Sequence, residues 1–206
     1  GVKLQCVVYR YPADYEGVIN LQNKVKDEGA PEQSLVYWLT GAEASCEVNA
    51  TLTNTKYDGD FIVDTKFTQS ELINGIKSGQ LLFHNNSGDP YVLTDINSFI
   101  TITIYRNDDF QSNQVIRVLD QIGNDIALLF NKKHLGKSRN TSSGREGLWK
   151  DIVAHHQELE RIEAIENFDP KKVTVEKGLT KKSVVVTDPV TPVACMEILY
   201  MTVVVQ

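Results

Sequence analysis

The sequence lacks the features that identify most enzymes, membrane proteins and nucleic-acid-binding proteins. It has no Gly-rich phosphate loop, no Gly-x-Gly-x-x-Gly dinucleotide fingerprint and no Gly-x-Ser-x-Gly nucleophile motif. No apolar run approaches the ~20 residues that a membrane-spanning helix needs, so we expect no direct membrane insertion. The formal net charge of −6 supplies no overall basic footprint, which disfavours nucleic acid as the main partner.

Cysteine is also scarce. Cys6, Cys46 and Cys195 are odd in number and far apart, and none has the spacing of a metal site or a Cys-x-x-Cys motif. We therefore expect buried free thiols in a reducing compartment. The first residue is Gly1 rather than an initiator Met, and no signal peptide follows it. This beginning suggests a piece of a longer protein.

The composition is otherwise that of an ordinary globular protein. Its 206 residues, 41% hydrophobic and 23% charged, suffice for one domain with a proper core, or for one domain with extended arms. The pattern of elements predicts the α/β (α+β) class, with a mixed sheet packed by several helices and an extended C-terminal strand arm. We place the core domain at 1–189 and the arm at 190–206, where two X-Pro dipeptides stiffen the connector.

Periodicity and turn chemistry predict the individual elements. Strands are expected at Val2–Tyr9, Tyr15–Leu21, Phe61–Val63, Phe99–Ile104, Val173–Glu176 and Ser183–Thr187, with a hairpin formed by Leu81–His84 and Tyr91–Thr94. Helices are expected at Pro31–Val48, from a Thr68/Glu71 capping box to Gly79, at Asn113–Asn131, and from a Ser143/Glu146 capping box to Asn167. The small residues in the middle of the first helix suit close packing on a sheet.

The closing segment, Met196–Gln206, is the most informative part of the chain. It is rich in β-branched and aromatic residues and contains no Gly, Pro or Lys, which is typical of a strand. Both faces of this strand would be largely apolar, so it needs cover on two sides and partners along its edge. It is either the last strand of the chain's own sheet or a strand that enters the sheet of a neighbouring subunit. The inter-subunit strand would use Met196, Ile198, Leu199, Tyr200, Met201, Val203, Val204 and Val205.

Basic residues concentrate around the last two helices. From Lys132 to Arg145 the chain has five basic residues and no acid. This stretch is either a solvated loop, with cations favourably placed near a helix C-terminus, or a docking patch for an acidic partner surface. The residues that would make charged contacts are Lys132, Lys133, Lys137, Arg139, Arg145, Lys150 and Arg161.

No set of residues supports catalysis. His155-His156 with Glu158 and Glu160 comes nearest to a metal site, but the His-Glu-x-x-His order is missing. A solvated polar helix face explains these residues better. We therefore predict no catalytic residue, metal or cofactor, and an enzyme of unrecognised type is the least favoured hypothesis.

Several segments resemble contractile phage tail sheath proteins. They are Ser34–Ser45, Thr94–Ile100, Asn113–Ile126, Ile165–Pro170, and the closing run Ser183–Val186 with Met196–Val205. Their order and spacing are similar to those of the sheath subunits of myophages of Gram-positive bacteria and of related phage-tail-like bacteriocins. The resemblance covers essentially the whole chain.

The resemblance implies a structural protein. Subunits of this family stack as hexameric rings around a tail tube, and extended N- and C-terminal arms add strands to neighbouring subunits. Contraction then drives the tube through the target envelope. The implied partners are other sheath subunits, the tail tube protein, the baseplate and the tail terminator, and the implied location is the virion tail, assembled in the bacterial host cytoplasm.

Two further expectations depend on this resemblance. The seven basic residues become tube-facing or lateral contacts between subunits. Family members also carry a substantial N-terminal portion with the other arm, and this chain begins after it, so we expect Gly1–Gln206 not to form tubes alone. The alternative is a non-contractile phage assembly or adaptor protein that also uses strand addition.

Deletion of Met196–Gln206 tests the inter-subunit interpretation of the closing segment. We expect the deletion to abolish polymerisation and to leave the core folded, because an exchanged strand contributes to a neighbour's sheet and not to its own domain. Circular dichroism melting and light scattering measure the two effects. Loss of cooperative melting would instead show that the segment belongs to the subunit's own core.

Overall fold

The computed structural model describes residues 3–205, which divide into two compact units. The larger unit is Leu4–Ile116 with Ala194–Gln206, and the smaller unit is Gly1–Lys3 with Arg117–Val193. The α-helices are α1 (Leu35–Ser45), α2 (Gln69–Lys77), α3 (Asn113–Leu129) and α4 (Ser142–Arg161). The boundary between the units falls within α3.

The strands form three small sheets. They are β1 (Cys6–Tyr9), β2 (Val18–Leu21), β3 (Gln80–Leu81), β4 (Phe83–Asn86), β5 (Asp89–Val92), β6 (Thr174–Lys177) and β7 (Val184–Thr187). The first three strands make a parallel sheet in the order β1-β2-β3, whereas β4–β5 and β6–β7 are antiparallel hairpins. The predicted α/β class is confirmed, and the strands divide among these sheets.

The core of the larger unit forms where α1 covers the parallel sheet and the β4–β5 hairpin. Leu35 and Leu39 lie one turn apart on α1, so they share a face, and both are completely buried. Phe83 is also completely buried, and its ring packs edge-on against Trp38 and Tyr57 at centroid distances of 5.7 and 6.3 Å. These aromatic contacts join the helix to the hairpin.

A buried asparagine completes the hydrogen bonding at the start of β4. The Asn23 side chain accepts a hydrogen bond from the Phe83 amide at 2.7 Å and donates to the carbonyl oxygens of Phe83 and Asp64 at 2.9 Å. A buried amide side chain costs free energy unless it is paired. Asn23 is fully buried with these three bonds. It occupies the amide and the carbonyl of Phe83, which a neighbouring strand could otherwise use for pairing.

The smaller unit has its own core between α3, α4 and the β6–β7 hairpin. Leu148, Ile152 and Val173 are buried there, and Ile126 and Leu129 of α3 pack against them. The Trp149 indole donates a hydrogen bond to the Val173 carbonyl at 3.1 Å, which ties α4 to the segment that leads into β6. After α3 the chain makes a π-helical turn, Phe130–His134.

Elements with local signals agree best with their predictions. The Thr68/Glu71 capping box is present with both of its hydrogen bonds, and Gly79 follows the helix with a φ of +66°. The predicted hairpin also forms, as β4–β5. Leu81, however, belongs to β3 of the parallel sheet.

Two predicted helices are shorter than expected. The first begins at Leu35, because Pro31–Ser34 form a turn. Among its small residues Ala42 packs against the core, whereas Gly41 faces open space, since a Cβ added there would meet no atom within 4 Å. The last helix is capped by Thr141, whose hydroxyl accepts from the Gly144 amide at 3.2 Å. The predicted Ser143/Glu146 box is therefore wrong, and Glu146 pairs with Lys150.

Two predicted strands are also wrong, because side chains take the backbone hydrogen bonds that a sheet would need. The Asp14 carboxylate accepts from the amides of Ile100 and Thr101 at 2.7 and 2.9 Å, and the predicted strand Phe99–Ile104 is irregular. Likewise Phe61–Val63 makes only an isolated bridge, from Val63 to Val25. None of the described helices is both long and apolar enough to cross a membrane.

Replacing Phe83 with alanine tests the aromatic junction of the larger unit. We expect Phe83→Ala to lower the free energy of unfolding by about 3–5 kcal/mol, because it removes a completely buried ring and leaves a cavity. Urea unfolding followed by tryptophan fluorescence measures the change. Tyr37→Ala is the matched control, since Tyr37 is 78% exposed, and it should shift the value by less than about 0.5 kcal/mol. Equal effects of the two variants would contradict this description of the core.

Candidate assembly surfaces

The connector that leads to the closing segment is anchored. In the smaller unit, the connector after β7 pairs with the chain that follows α4: the Glu166 amide donates to the Thr191 carbonyl at 2.9 Å, and the Val193 amide donates to the Ala164 carbonyl at 3.0 Å. An isolated bridge between Ile165 and Pro192 lies between these bonds. The start of the predicted arm is therefore held by a short ladder.

From Ile198 to Val205 the chain is exposed and unpaired. Within the described range, residues 198–205 belong to no strand and form no hydrogen bond. The interpretation as the last strand of the chain's own sheet is therefore wrong for this structure. The side chains predicted to enter a neighbouring subunit are 73–101% exposed, namely Met196, Ile198, Leu199, Tyr200, Met201, Val203, Val204 and Val205.

Residues 195–197 make specific contacts within the larger unit. The Cys195 amide donates to the Gln114 side-chain oxygen at 3.0 Å. The two carboxylate oxygens of Glu197 accept hydrogen bonds from the hydroxyls of Thr53 and Thr94 at 2.6 and 2.7 Å. Glu197 was not among the predicted site residues, and its signal in the sequence was a lone charge within an apolar strand.

A buried polar network lies directly behind the Glu197 contact. The Asp95 amide donates to the Thr53 hydroxyl oxygen at 2.8 Å, and its carboxylate accepts from the Leu52 amide at 3.1 Å and the Asn113 side chain at 2.7 Å. Asn113 in turn accepts from the Gln5 side chain at 2.7 Å. Asp95 and Asn113 are almost completely buried, and this partnering is what allows a carboxylate to remain inside the unit.

The predicted basic residues lie in the smaller unit and differ in their pairing. Lys133 pairs with Asp151 at 2.7 Å, Lys150 pairs with Glu146 at 2.9 Å, and Arg161 forms two bonds to Glu158 at 2.6 and 2.8 Å. In the part of the chain that the structure describes, the remaining four have no carboxylate partner: Lys132, Lys137, Arg139 and Arg145. Attraction for an acidic surface would depend mainly on these four.

A small pocket accompanies two of these cations. It has a volume of about 60 Å³, and Arg139, Arg145 and Lys182 contribute basic side chains to a lining that also includes Phe130 and Leu148. The Arg145 guanidinium donates to the carbonyl and side-chain oxygens of Asn140 at 3.3 and 3.0 Å. This arrangement holds one cation in place beside the pocket.

The histidines of α4 contact aspartates and do not converge. His155 Nε2 lies 2.9 Å from Asp125, and His156 Nε2 lies 2.9 Å from Asp188. Among residues 3–205, no three His, Cys, Asp or Glu side chains are placed to hold a metal ion together. His156 is completely buried, so the expectation of a fully solvated helix face is wrong for this residue.

The cysteines correct another expectation from the sequence. All three are free, as predicted, but Cys6 and Cys195 are exposed and Cys46 is half-buried. The expectation of burial is therefore wrong. Cys6 lies at the beginning of β1, and Cys195 lies directly before the closing segment.

Comparison with known families accounts for nearly the entire chain. Residues 1–98 match the phage tail sheath protein central domain, and residues 106–206 match the phage tail sheath C-terminal domain. The chain belongs to the phage tail sheath family. Residues 99–105, which include the irregular segment held by Asp14, lie between the two matches.

Solved sheath proteins have the same fold. The sheath tail protein of Desulfitobacterium hafniense is 32% identical with a TM-score of 0.81, and the match covers 94% of this chain and 46% of that protein. The sheath tail protein Lin1278 of Listeria innocua is 28% identical with a TM-score of 0.84, covering 95% and 47%. The sheath of an extracellular contractile injection system in its contracted state, at 14% identity and a TM-score of 0.70 over 92% and 57%, shows the fold alone.

The family segments found in the sequence meet in the polar network of this sheath protein. Asp95 lies in Thr94–Ile100, Asn113 begins Asn113–Ile126, and Glu197 lies in the closing run. Asn113 bonds directly to Asp95, and Thr53 connects Asp95 to Glu197. The chain spans about half the length of the curated relatives it matches, between 46 and 50%.

Acid titration tests the pairing of the basic residues. The hydrogen bond from Lys133, helped by His134, holds the pKa of the Asp151 carboxyl below its ordinary value despite partial burial. The pKa of Asp151 is therefore lower in the folded protein than in the unfolded chain. The stability that results is fully present at pH values above the pKa of the unfolded chain, and it is lost as the pH falls through the pKa of the folded protein. We expect Asp151→Asn to cost about 1 kcal/mol or less at neutral pH, and the difference from wild type to shrink in acid.

Urea unfolding at several pH values measures this difference. Asp60→Asn serves as the control, because Asp60 is exposed and forms no hydrogen bond or ion pair in the described residues. Its difference from wild type should be small at every pH. A pH-independent cost of Asp151→Asn, or a pKa of Asp151 at or above the ordinary value by NMR, would contradict the pairing.

Proposed function

We propose that this chain acts as a structural subunit of a contractile tail sheath, which polymerises around the tail tube and contracts to drive the tube through the target cell envelope. The observation that carries the proposal is the exposed, unpaired closing segment in a chain of the sheath family. Such a segment has both the apolar surface and the backbone groups that strand addition uses.

The closing segment is the donor strand. Each of its apolar side chains would contribute roughly 1.5–3 kcal/mol on full burial, and each new ladder hydrogen bond would add about 1 kcal/mol. In the separate chain this contribution is absent, because residues 198–205 are neither buried nor hydrogen-bonded among the described residues. Pairing with a second copy would supply both the burial and the hydrogen bonds.

The β6–β7 hairpin of a neighbouring copy is the best-suited acceptor. The strand residues Thr174–Lys177 and Val184–Thr187 make no backbone hydrogen bond to described residues outside the hairpin, and Val185 is 53% exposed. The hairpin packs on the core of the smaller unit, and its outer strand edges offer backbone groups to which a third strand can add. The other hairpin is less open, since Asn23 occupies β4, and Asn54 and Thr55 bond to Val92 of β5.

The basic residues of the smaller unit provide the second kind of contact. Lys132, Lys137, Arg139 and Arg145 would face an acidic surface, either on the tube or on a lateral neighbour, while Lys133, Lys150 and Arg161 would exchange their own carboxylate partners. Charged contacts of this type tune specificity and register more than affinity. They can be broken and remade without loss of the fold.

Contraction then uses the two kinds of contact differently. Strand ladders between copies stay intact and keep the lattice connected. The charged contacts are replaced as whole subunits move as rigid bodies between two packings. One solved protein with the same fold belongs to a sheath complex in a contracted state.

The remaining partners follow from this role. The subunits would form hexameric rings stacked helically on the tail tube protein, between the baseplate and the tail terminator, in a particle assembled in the bacterial host cytoplasm. Strand addition alone would equally serve a non-contractile adaptor protein. The match to both sheath domains favours the sheath.

A proline pair in the closing segment tests strand addition without disturbing the subunit. Successive N–H groups of a strand point to opposite sides, so Thr202→Pro with Val203→Pro removes a donor from whichever edge is paired. We expect a form extended at the N-terminus to lose tube formation. The free energy of unfolding of the separate subunit should change by less than about 0.5 kcal/mol, because the segment is exposed.

The matched control exchanges the same two residues. Thr202→Val with Val203→Thr keeps composition, β-branching and both N–H groups, so tubes should form as in wild type. Negative-stain imaging and light scattering report assembly. Normal tubes from the proline variant would refute the donor role of the segment, and closed rings from the wild type would favour an adaptor.

A further inference from the structure

We propose that Glu197 is a positioning residue that pins the closing segment to its own subunit, so that the strand donated to a second copy begins at Ile198. This inference rests on the proposed function and adds a division within the arm. Residues 195–197 form a fixed root on the larger unit, and residues 198–205 form the donated tip. A strand that begins at a fixed point reaches its acceptor in one register.

The geometry of Glu197 is that of a clamp. Each carboxylate oxygen accepts one hydroxyl, from Thr53 at 2.6 Å and from Thr94 at 2.7 Å. These distances are in the range of charge-assisted O–H···O⁻ hydrogen bonds. Two bonds from different parts of the chain fix the direction of the side chain as well as its position. Two residues earlier, the Cys195 amide is bonded to the Gln114 side chain at 3.0 Å.

The receiving side of the clamp is rigid. The Thr53 oxygen that donates its hydrogen to Glu197 also accepts the Asp95 amide at 2.8 Å. Asp95 is 2% exposed and is held by the Leu52 amide and the Asn113 side chain. Gln114 is 3% exposed and donates to the Asn49 carbonyl at 3.1 Å. The root of the arm is therefore bonded directly to the buried Gln114 side chain and, through the half-buried Thr53, to the buried Asp95.

The distribution of charge agrees with the division between residues 195–197 and residues 198–205. Glu197 is the only charged residue after Asp188, and it stands at the border between hydrogen-bonded and unbonded residues. In a donated strand a carboxylate would have to be accommodated by the neighbouring subunit. Here its partners lie in its own subunit, and every residue of 198–205 is uncharged and able to enter another sheet.

Site-directed spin labels separate the root from the tip. Labels are placed at Ile198→Cys or Val204→Cys in the Gly1–Gln206 chain, after replacement of the three native cysteines by serine. We expect restricted motion at 198 and free motion at 204. Glu197→Gln and Thr94→Val should each raise the mobility at 198 towards that at 204, because each removes part of the clamp.

Conservative and distant substitutions provide the controls. Thr94→Ser keeps the hydroxyl and should restore restricted motion at 198, which distinguishes a lost hydrogen bond from a lost methyl contact. Glu28→Gln removes an exposed carboxylate of the same unit that forms no hydrogen bond or ion pair in the described residues, and it should change neither label. Glu197 is itself exposed, so its substitution leaves the fold unchanged.

Assembly of an N-terminally extended form links the clamp to strand donation. Glu197→Gln should raise the concentration needed for tube formation by about tenfold, the effect of one additional residue that must be ordered on pairing. An unchanged assembly concentration, equal mobility at 198 and 204 in the wild type, or no change at 198 in Glu197→Gln would each overturn the inference.

Failure of the proposed function would give a different result. In that case the wild-type extended form makes no tubes although the label at 198 is restricted and is released by Glu197→Gln. That outcome would also remove the role assigned to the clamp in strand donation. The mobility measurements therefore test the clamp, and the assembly measurements of the wild type test the proposed function.

Discussion

The structure depends on one unsatisfied requirement at the end of the chain. Residues 198–205 keep both their apolar side chains and their backbone hydrogen-bonding groups outside the subunit. An exposed strand of this kind must find a partner or it becomes a site of aggregation. The β6–β7 hairpin has complementary groups, because its strand residues make no backbone hydrogen bond to described residues outside the hairpin. In the sheath that we propose, the closing segment of one copy would pair with the hairpin of another.

The polar network around Asp95 would give the proposed strand exchange a fixed starting point. A buried carboxylate is retained when its hydrogen-bond partners hold one arrangement, and Asp95 connects the segment after β5, the beginning of α3 and, through Thr53, the Glu197 clamp. The apolar cores stabilise each unit, whereas this network determines where the chain end leaves the larger unit. Charged contacts of the smaller unit are weaker and more exposed, which would suit contacts that are replaced in the contraction that we propose.

Sequence patterns predicted the elements that neighbouring residues determine. They failed where a side chain distant in the sequence takes the backbone hydrogen bonds. The Thr68/Glu71 box is a local signal and its helix formed as expected. The alternation of Phe99–Ile104 is just as regular, yet Asp14, more than eighty residues earlier, takes two of its amides. The exposed closing segment was recognisable from its two apolar faces. The partners of Glu197 were not, because Thr53 and Thr94 become neighbours only in the folded unit.

Binding of the closing segment in trans tests the central claim most directly. A synthetic peptide of Met196–Gln206 is added to the chain ended at Cys195, and backbone amide exchange is measured across the protein with increasing peptide. The account predicts saturable protection of β6–β7, since the peptide adds a strand to the hairpin. Binding without protection of β6–β7, or no binding at all, would contradict strand donation between copies.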